Sequence, residues 1–200
     1  MIIKYIKMMR QTRQIKKFEE IGTILSSYIA NISNIIIQFE STQTISLLEQ
    51  YISYVTKIVQ SNCGVVHLFE GDTVIAYWLS NNDTTRHAQL AFDSACEILK
   101  FAPRILLDEE QFTPQIQVAI STGFLTGDFC GPSNQFQVAG RAMAILDRIR
   151  QSQQRPSPFV VMSAETVRLL QGPENIEEID VCDGDDMEPL KTYTYYPSKG

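Results

Sequence analysis

No stretch of this 200-residue chain approaches the roughly 18 consecutive apolar residues that span a bilayer. Metal-site spacing is missing as well. The four cysteines, Cys63, Cys96, Cys130 and Cys182, form no CxxC pair, and the two histidines, His67 and His87, fit no zinc pattern. The expectation is reduced thiols packed as small buried hydrophobes, and no structural metal. The start, MIIKYIKMMRQTRQIKK, is interrupted too often by charge to be a signal peptide, so the chain is expected to be soluble and cytoplasmic. There is no internal repeat and no low-complexity tract. What remains, 44% hydrophobic and 20% charged residues, is the composition of a globular protein, and the length suits one domain with its own core.

The charge is segregated. Residues 1–17 carry Lys4, Lys7, Arg10, Arg13, Lys16 and Lys17 with no acid, whereas the other 183 residues hold 11 basic and 23 acidic side chains, a net of −12. Such a body repels phosphate, which argues against DNA or RNA as a partner. Ile2, Ile6 and Met9 fall at helical spacing among the basic residues, so residues 1–20 read as a basic helix or linker before a folded body at 21–197. That segment has three readings: a helix leading out of a preceding membrane or sensor segment, a helix lying on an anionic membrane, or a solvated extension. The acids from Glu174 to Glu188 sit among Gly and Pro and read as a solvated loop and strand edge.

Hydrophobic periodicity orders the body. Gly22–Ile29 is β-branched and Gly-led, a strand. Ile45, Leu48, Ile52, Val55 and Val59 recur at helical spacing from Ser41 to Gln60. Val65–Phe69 and Thr73–Trp78 are strands joined by the tight turn Glu70-Gly71-Asp72. A helix ending near Phe101 places Ala88, Ala91, Ala95, Ile98 and Leu99 inward. Gln115–Ser121 alternates as a half-buried strand and pairs with Phe124–Phe129 across a turn at Thr122-Gly123. Gln135–Val138 is a strand leading into a helix from Arg141 to Gln153. Phe159–Met162, Ile176–Val181 and Leu190–Tyr195 read as strands and Ala164–Leu170 as a helix. The order from Gly22 to Ser121 is a ferredoxin-like βαββαβ core, an α+β fold with helices packed on a mostly antiparallel sheet.

Four segments in this order resemble the catalytic domain of the class III nucleotidyl cyclases, the adenylate and guanylate cyclase family. ILSSYIANIS at Ile24–Ser33 stands against the family's V-L-F-A-D-I-x-G-F-T, and GVVHLFEGDTVIAYW at Gly64–Trp78 against G-x-x-x-K-x-x-G-D-x-x-x-A-x-F. VAISTGFLTGDFCG at Val118–Gly131 meets I-G-x-x-x-G-x-V-x-x-G-x-x-G, and FQVAGRAMAILDR at Phe136–Arg148 meets Y-D-V-x-G-x-x-V-N-x-A-x-R. MEPLKTYTY, Met187–Tyr195, is similar to the family's closing strand. The resemblance covers about residues 20 to 195.

The resemblance implies a site in which two aspartates hold divalent metals while the 3′-oxygen of a nucleoside triphosphate attacks its own α-phosphorus. Asp72 matches the second aspartate. Tyr28 stands at the first, and a phenol, with an ordinary pKa of ~10, is a poor magnesium ligand. Glu70 is a candidate substitute or an exposed turn acid. At the purine-reading positions stand Leu68 and Gln137, which spell neither the adenine nor the guanine code. Ala144 replaces the ribose-orienting asparagine, and Arg148 matches the arginine that stabilises phosphate charge, or is a surface salt-bridge residue.

Four of six groups are changed, so an isolated chain is expected to be inactive and to need no cofactor. Family sites form between two domains, so the chain pairs with another cyclase-like domain or a scaffold. It acts either as a regulatory or structural partner or as one subunit of an asymmetric cyclase that uses ATP or GTP with Mg or Mn. A nucleotide-binding sensor without turnover is a third reading. The expected place is the cytoplasm, including the cytoplasmic face of a membrane or a cytoskeletal or ciliary assembly.

Overall fold

The computed structural model describes residues 16–80, 86–101, 114–152, 159–172, 175–181 and 190–196. The N-terminal helix expected around Ile2, Ile6 and Met9 lies outside them. In chain order the elements are β1 (Phe18–Ile29), α1 (Ile32–Gln38), α2 (Ser41–Ser61), β2 (Val65–Glu70), β3 (Thr73–Leu79), α3 (Arg86–Phe101), β4 (Ile116–Cys130), β5 (Gln135–Ala139), α4 (Arg141–Ser152), β6 (Val160–Ser163), α5 (Ala164–Leu169), β7 (Ile176–Val181) and β8 (Leu190–Tyr195). The sheet runs β2-β3-β1-β4-β6-β8-β7, with β5 paired to β4. Only β4 and β6 are parallel among these pairs.

The strand period of two assigns alternate residues of the central strands to opposite faces. Leu25, Ile29, Val74, Ala76, Val118 and Ile120 join the core under α2 and α3, whereas Ile24, Ile75, Tyr77 and Ala119 join a second core with Ala142, Leu146 and Ile149 of α4. The two helices of the βαββαβ unit thus share one face, and α4 covers the other.

Four local expectations are corrected. Ile116–Cys130 is one fifteen-residue strand, so no turn falls at Thr122-Gly123. β1 runs alongside it from Phe18↔Gly127 to Ile29↔Ile116, and this long partner keeps β4 extended. Gln115–Ser121 is not half-buried: Ile116 through Ser121 are all buried, because helices cover both faces. The inward stripe of α2 is turned from the expected one. Leu47, Tyr51, Val55, Ile58 and Val59 are buried, while Ile45 is 62% exposed. Cys63 and Cys130 are exposed and Cys96 half-buried, since Cys63 follows the end of α2 and Cys130 ends β4. Two further differences concern the front of the domain. β1 begins at Phe18, inside the segment read as linker, and the short α1 was not read from sequence.

A chain of buried hydroxyls binds β1, β4, α5 and α3 together. Ser163 Oγ accepts from the backbone N–H groups of Thr122 and Thr166, both at 3.3 Å. With both lone pairs so used, its own hydrogen goes to Thr166 Oγ1 at 3.0 Å. The direction then propagates from Thr166 to Thr122 at 2.9 Å, to Thr23 at 2.7 Å and to His87 Nδ1 at 2.8 Å. Ser163 is also the N-cap of α5. Ser163→Ala is expected to cost about 1–2 kcal/mol, as for loss of a cap that also leaves buried donors unmade. Urea midpoints of the two proteins check this.

Candidate functional site

Tyr28 is the penultimate residue of β1 and lies opposite Gln117 of β4. It shares strand parity with Ile24, so its side chain stands on the α4 face of the sheet. Its hydroxyl donates to Gln117 Oε1, and Gln117 is 2% exposed. Tyr28 lines a pocket of about 290 Å³ with Asp147, Arg150 and Gln151 of α4 among the described residues. Burial pushes the phenol up to about 12, with the Arg150 guanidinium pulling it down and the Asp72 carboxylate pushing it further up. Tyr28 is therefore a neutral donor at any physiological pH.

Asp72 follows Gly71 in the β2-β3 hairpin. The turn needs a positive φ, +60° at Gly71, which glycine adopts without strain. The resulting hairpin brings the Asp72 Oδ2 to the backbone N–H of Ile29 at 3.1 Å, so the carboxylate fastens the turn to the end of β1. Burial raises its pKa; hydrogen bonds from its own and the Ile29 N–H, and the charge of Arg150, oppose that rise. Because the folded-state pKa lies above the unfolded one, the native chain holds a proton that the unfolded chain has released. Stability therefore falls as pH rises through this window. Asp72→Asn is expected to remove that fall, flattening the stability profile as pH rises above the ordinary carboxylate range in urea titrations.

Arg150 and Gln117 were missed in the sequence. Arg150 lies one helical turn beyond Asp147, with which it pairs at 3.5 Å, and its side chain is 26% exposed. The signal for Gln117 was a lone amide inside the apolar run Ile116–Ile120.

The remaining expected positions are more dispersed. Glu70 is exposed at the end of β2, opposite Thr73. Leu68 is 39% exposed on the edge strand β2, next to His67, which sits at a break in the β2-β3 register. Gln137 is exposed on β5 opposite Asp128. The His67 and Phe136 rings are 6.3 Å apart, so Leu68 and Gln137 each follow one member of a contacting pair. Burial lowers the His67 pKa, which keeps it neutral near pH 7. Ala144 is exposed and Arg148 half-buried, one turn apart on α4.

Thus one chain places Tyr28 and Arg150 on one pocket, fastens Asp72 to the residue after Tyr28, and separately juxtaposes the strands that bear Leu68 and Gln137. Among the described residues no group of three or more His, Cys, Asp or Glu side chains is placed to hold a metal ion. No described helix is long and apolar enough to cross a membrane. At about 290 Å³ the pocket lies at the lower end of the roughly 300–1,000 Å³ typical of sites that enclose drug-sized ligands.

No family model and no curated protein sequence matches the chain. Solved structures do match. The adenylyl cyclase CyaB from P. aeruginosa superposes with a TM-score of 0.77 over 92% of this chain and 98% of that one, at 17% identity. The guanylate cyclase domain of RhGC from Catenaria anguillulae, in complex with GTP, gives 0.76 over 90% and 97%, at 16% identity. A non-canonical dimeric guanylyl cyclase domain of the RhoGC fusion protein from the aquatic fungus Blastocladiella emersonii gives 0.73 over 90% and 97%, at 16% identity. At these identities the likeness is one of fold, and the fold is that of the class III adenylyl and guanylyl cyclase catalytic domains.

Proposed function

We propose that this chain is a cyclase-homology domain that no longer catalyses cyclisation and serves as a regulatory or structural partner of another domain with the same fold. One observation carries the reading: at the position of the first metal-binding carboxylate stands Tyr28, a neutral phenol whose hydrogen is committed to Gln117. A protonated phenol offers a divalent cation no charge, and Asp72 alone supplies one carboxylate where hard cations take several oxygen ligands. The residues present do not fit the metal pair that the fold family implies. Leucine at position 68 and glutamine at 137 leave the purine code unread, and alanine at 144 has no group for a ribose.

Pairing is the property we assign to the surface that remains. The hairpin around Gly71, with the face from Phe136 to Arg148, presents exposed Leu68 and Phe129, at 39% and 38%, beside the half-buried Phe136. One solved structure of this fold is described as a non-canonical dimer and another, a double mutant, as monomeric, so the support they lend to a partner of like kind is for pairing in general. The second reading, a subunit of an asymmetric heterodimeric cyclase acting on ATP or GTP, is favoured by the retention of Arg148. In that case the chain contributes Arg148 and scaffold to a site whose metal carboxylates come from the partner.

An assay with manganese-ATP and manganese-GTP, on the chain alone and mixed with candidate partner domains, separates these readings. The first expects no cyclic product from the chain alone, and unchanged partner turnover when Arg148→Ala replaces the wild type. Cyclic product from the isolated chain defeats it. Product only in the mixture, lost with Arg148→Ala, establishes the second.

A further inference from the structure

β1 and β4 do not end together. Their pairing stops at Phe18↔Gly127, whereas β4 runs on through Asp128, Phe129 and Cys130, each paired on its other side with β5. Lys17 continues the β1 register past that point: its Nζ meets Asp128 Oδ1 at 2.7 Å, the residue that one more step of antiparallel pairing sets opposite it. The chain preceding Phe18 is therefore delivered to the outer end of β4.

An apolar strip lies at that end, on the face that α4 covers further along. The Phe18 and Phe136 rings are 6.1 Å apart and the Phe136 and Phe129 rings 5.2 Å. Gly127 makes room for them: a β-carbon there would lie 2.3 Å from Phe18 Cε1 and 2.6 Å from Phe136 Cζ, so the rings close over bare backbone. His67 adjoins Phe136. Leu68 pairs with Ile75 and so shares its face, the side of the α4 core. Phe129 and Leu68 remain exposed.

We infer that residues 1–9 of this same chain are the occupant of the strip, folded back over Phe129, Phe136 and Leu68. These are also the side chains assigned above to pairing, so the segment competes with a partner domain for that face. Only this consequence rests on the pairing reading.

Three observations select this occupant. It is tethered at the strip by Lys17 and Phe18. Residues 10–15 span up to about 20 Å when extended, enough to reverse direction, and a short tether of this kind holds its load at a millimolar effective concentration. Its composition fits: residues 1–9 are Met, Ile or Tyr at every position but Lys4 and Lys7, with Ile2, Ile6 and Met9 at helical spacing. Burial of these side chains supplies the driving force, and methionine sulfur packs well on aromatic rings. Its charge fits as well. Residues 1–17 carry six bases and no acid against a body of net −12; Asp128 already takes Lys17, and Glu70, two residues beyond Leu68 and so on the same face, is exposed.

The test compares the full chain with its Ile2→Ser/Ile6→Ser/Met9→Ser variant by NMR, at two protein concentrations. The variant is expected to shift the signals of Leu68, Phe129 and Phe136 while those of Val55 and Ile98, in the core under α2 and α3, stay in place. Alkylation of Cys130, which follows Phe129 and is exposed, should quicken about fivefold as its cover opens. In the reciprocal experiment, Phe129→Ser is expected to speed tryptic cleavage after Lys4, Lys7 and Arg10 by about the same factor. Unmoved strip signals overturn the inference, as does an unchanged cleavage rate in a folded Phe129→Ser. Strip shifts in the full chain that grow with concentration assign the strip to a second copy and overturn it too, and so does a full chain that binds phosphatidylserine vesicles with no shift of the strip signals. Sedimentation with candidate partner domains then reads the consequence: the triple variant is expected to pair about tenfold more tightly than the wild type, as for release of a tethered competitor. A strip uncovered with no gain in pairing sinks the pairing reading and leaves the seat of the segment standing.

Discussion

Gly140→Ala is expected to lower the stability of the chain by about 3–5 kcal/mol, a large share of the roughly 5–15 kcal/mol that holds a domain folded. Gly140 joins β5 to α4 with φ +131°, a conformation costly to residues with a β-carbon, at about 1–3 kcal/mol. A β-carbon there would lie 2.4 Å from the Phe124 carbonyl oxygen and 3.1 Å from the Leu125 Cα. Both are backbone atoms of the central strand β4, which cannot step aside as a flexible side chain would. Overpacking adds about 1–3 kcal/mol more. The Gly140 carbonyl also accepts from the Ala144 N–H at 3.1 Å in the first turn of α4. Displacement here therefore moves the helix that carries Asp147, Arg148 and Arg150. Urea unfolding should show the loss, and the fluorescence of a probe on α4 should change before global unfolding. A variant as stable as the wild type would mean that α4 is not seated on β4 through this contact.

Tyr51→Ala is expected to cost about 3–5 kcal/mol, by the precedent of buried aromatic truncations. Tyr51 is fully buried in the core beneath α2, and its hydroxyl donates to Ser27 Oγ at 2.8 Å. Burial raises its phenolic pKa strongly, with the Ser27 hydrogen bond opposing that rise and the Asp72 charge adding to it, so it remains a donor throughout the stable range. Tyr51→Phe separates the two contributions. It keeps the ring and removes the bond, leaving Ser27 Oγ buried without this donor, and is expected to cost about 1–2 kcal/mol. For a chain of this size each kcal/mol is worth about 2–4 °C in melting temperature, so the two variants should be well resolved by thermal melts. Ser27 precedes Tyr28, so amide exchange at Tyr28 should also quicken in both.

Much of the architecture was legible because short-range rules and tertiary packing agree. The hairpin Glu70-Gly71-Asp72 was readable because few residues other than glycine suit its positive φ. The inward face of α3 was readable because Ala88, Ala91 and Ala95 are small enough to let the helix lie close on the sheet, and all are fully buried. The strand order of the βαββαβ unit followed from the element sequence, since a split βαβ has few ways to pair its strands. Where the reading failed, a long-range partner overrode a local signal. Thr122-Gly123 is a plausible turn in isolation, but its pairing with Thr23 and Gly22 holds it extended. On α2 the apolar residues are numerous enough to draw two stripes, and contact with β1 through Tyr51 and Ser27 selects one.

The candidate site divides along the same line. The amino-acid sequence by itself determined which groups were present and which were lacking: a phenol at 28, a carboxylate at 72, leucine at 68, glutamine at 137, alanine at 144 and an arginine at 148, since identity and spacing are local properties. Only the tertiary structure decided what those groups face. The choice of Arg150 as the cation opposite Tyr28 depends on the angle at which α4 crosses the end of β1, which packing of Ala142, Leu146 and Ile149 on the sheet sets and no local pattern encodes. A one-residue difference in that rotation turns a helical side chain by about 100°, enough to exchange a pocket wall for solvent.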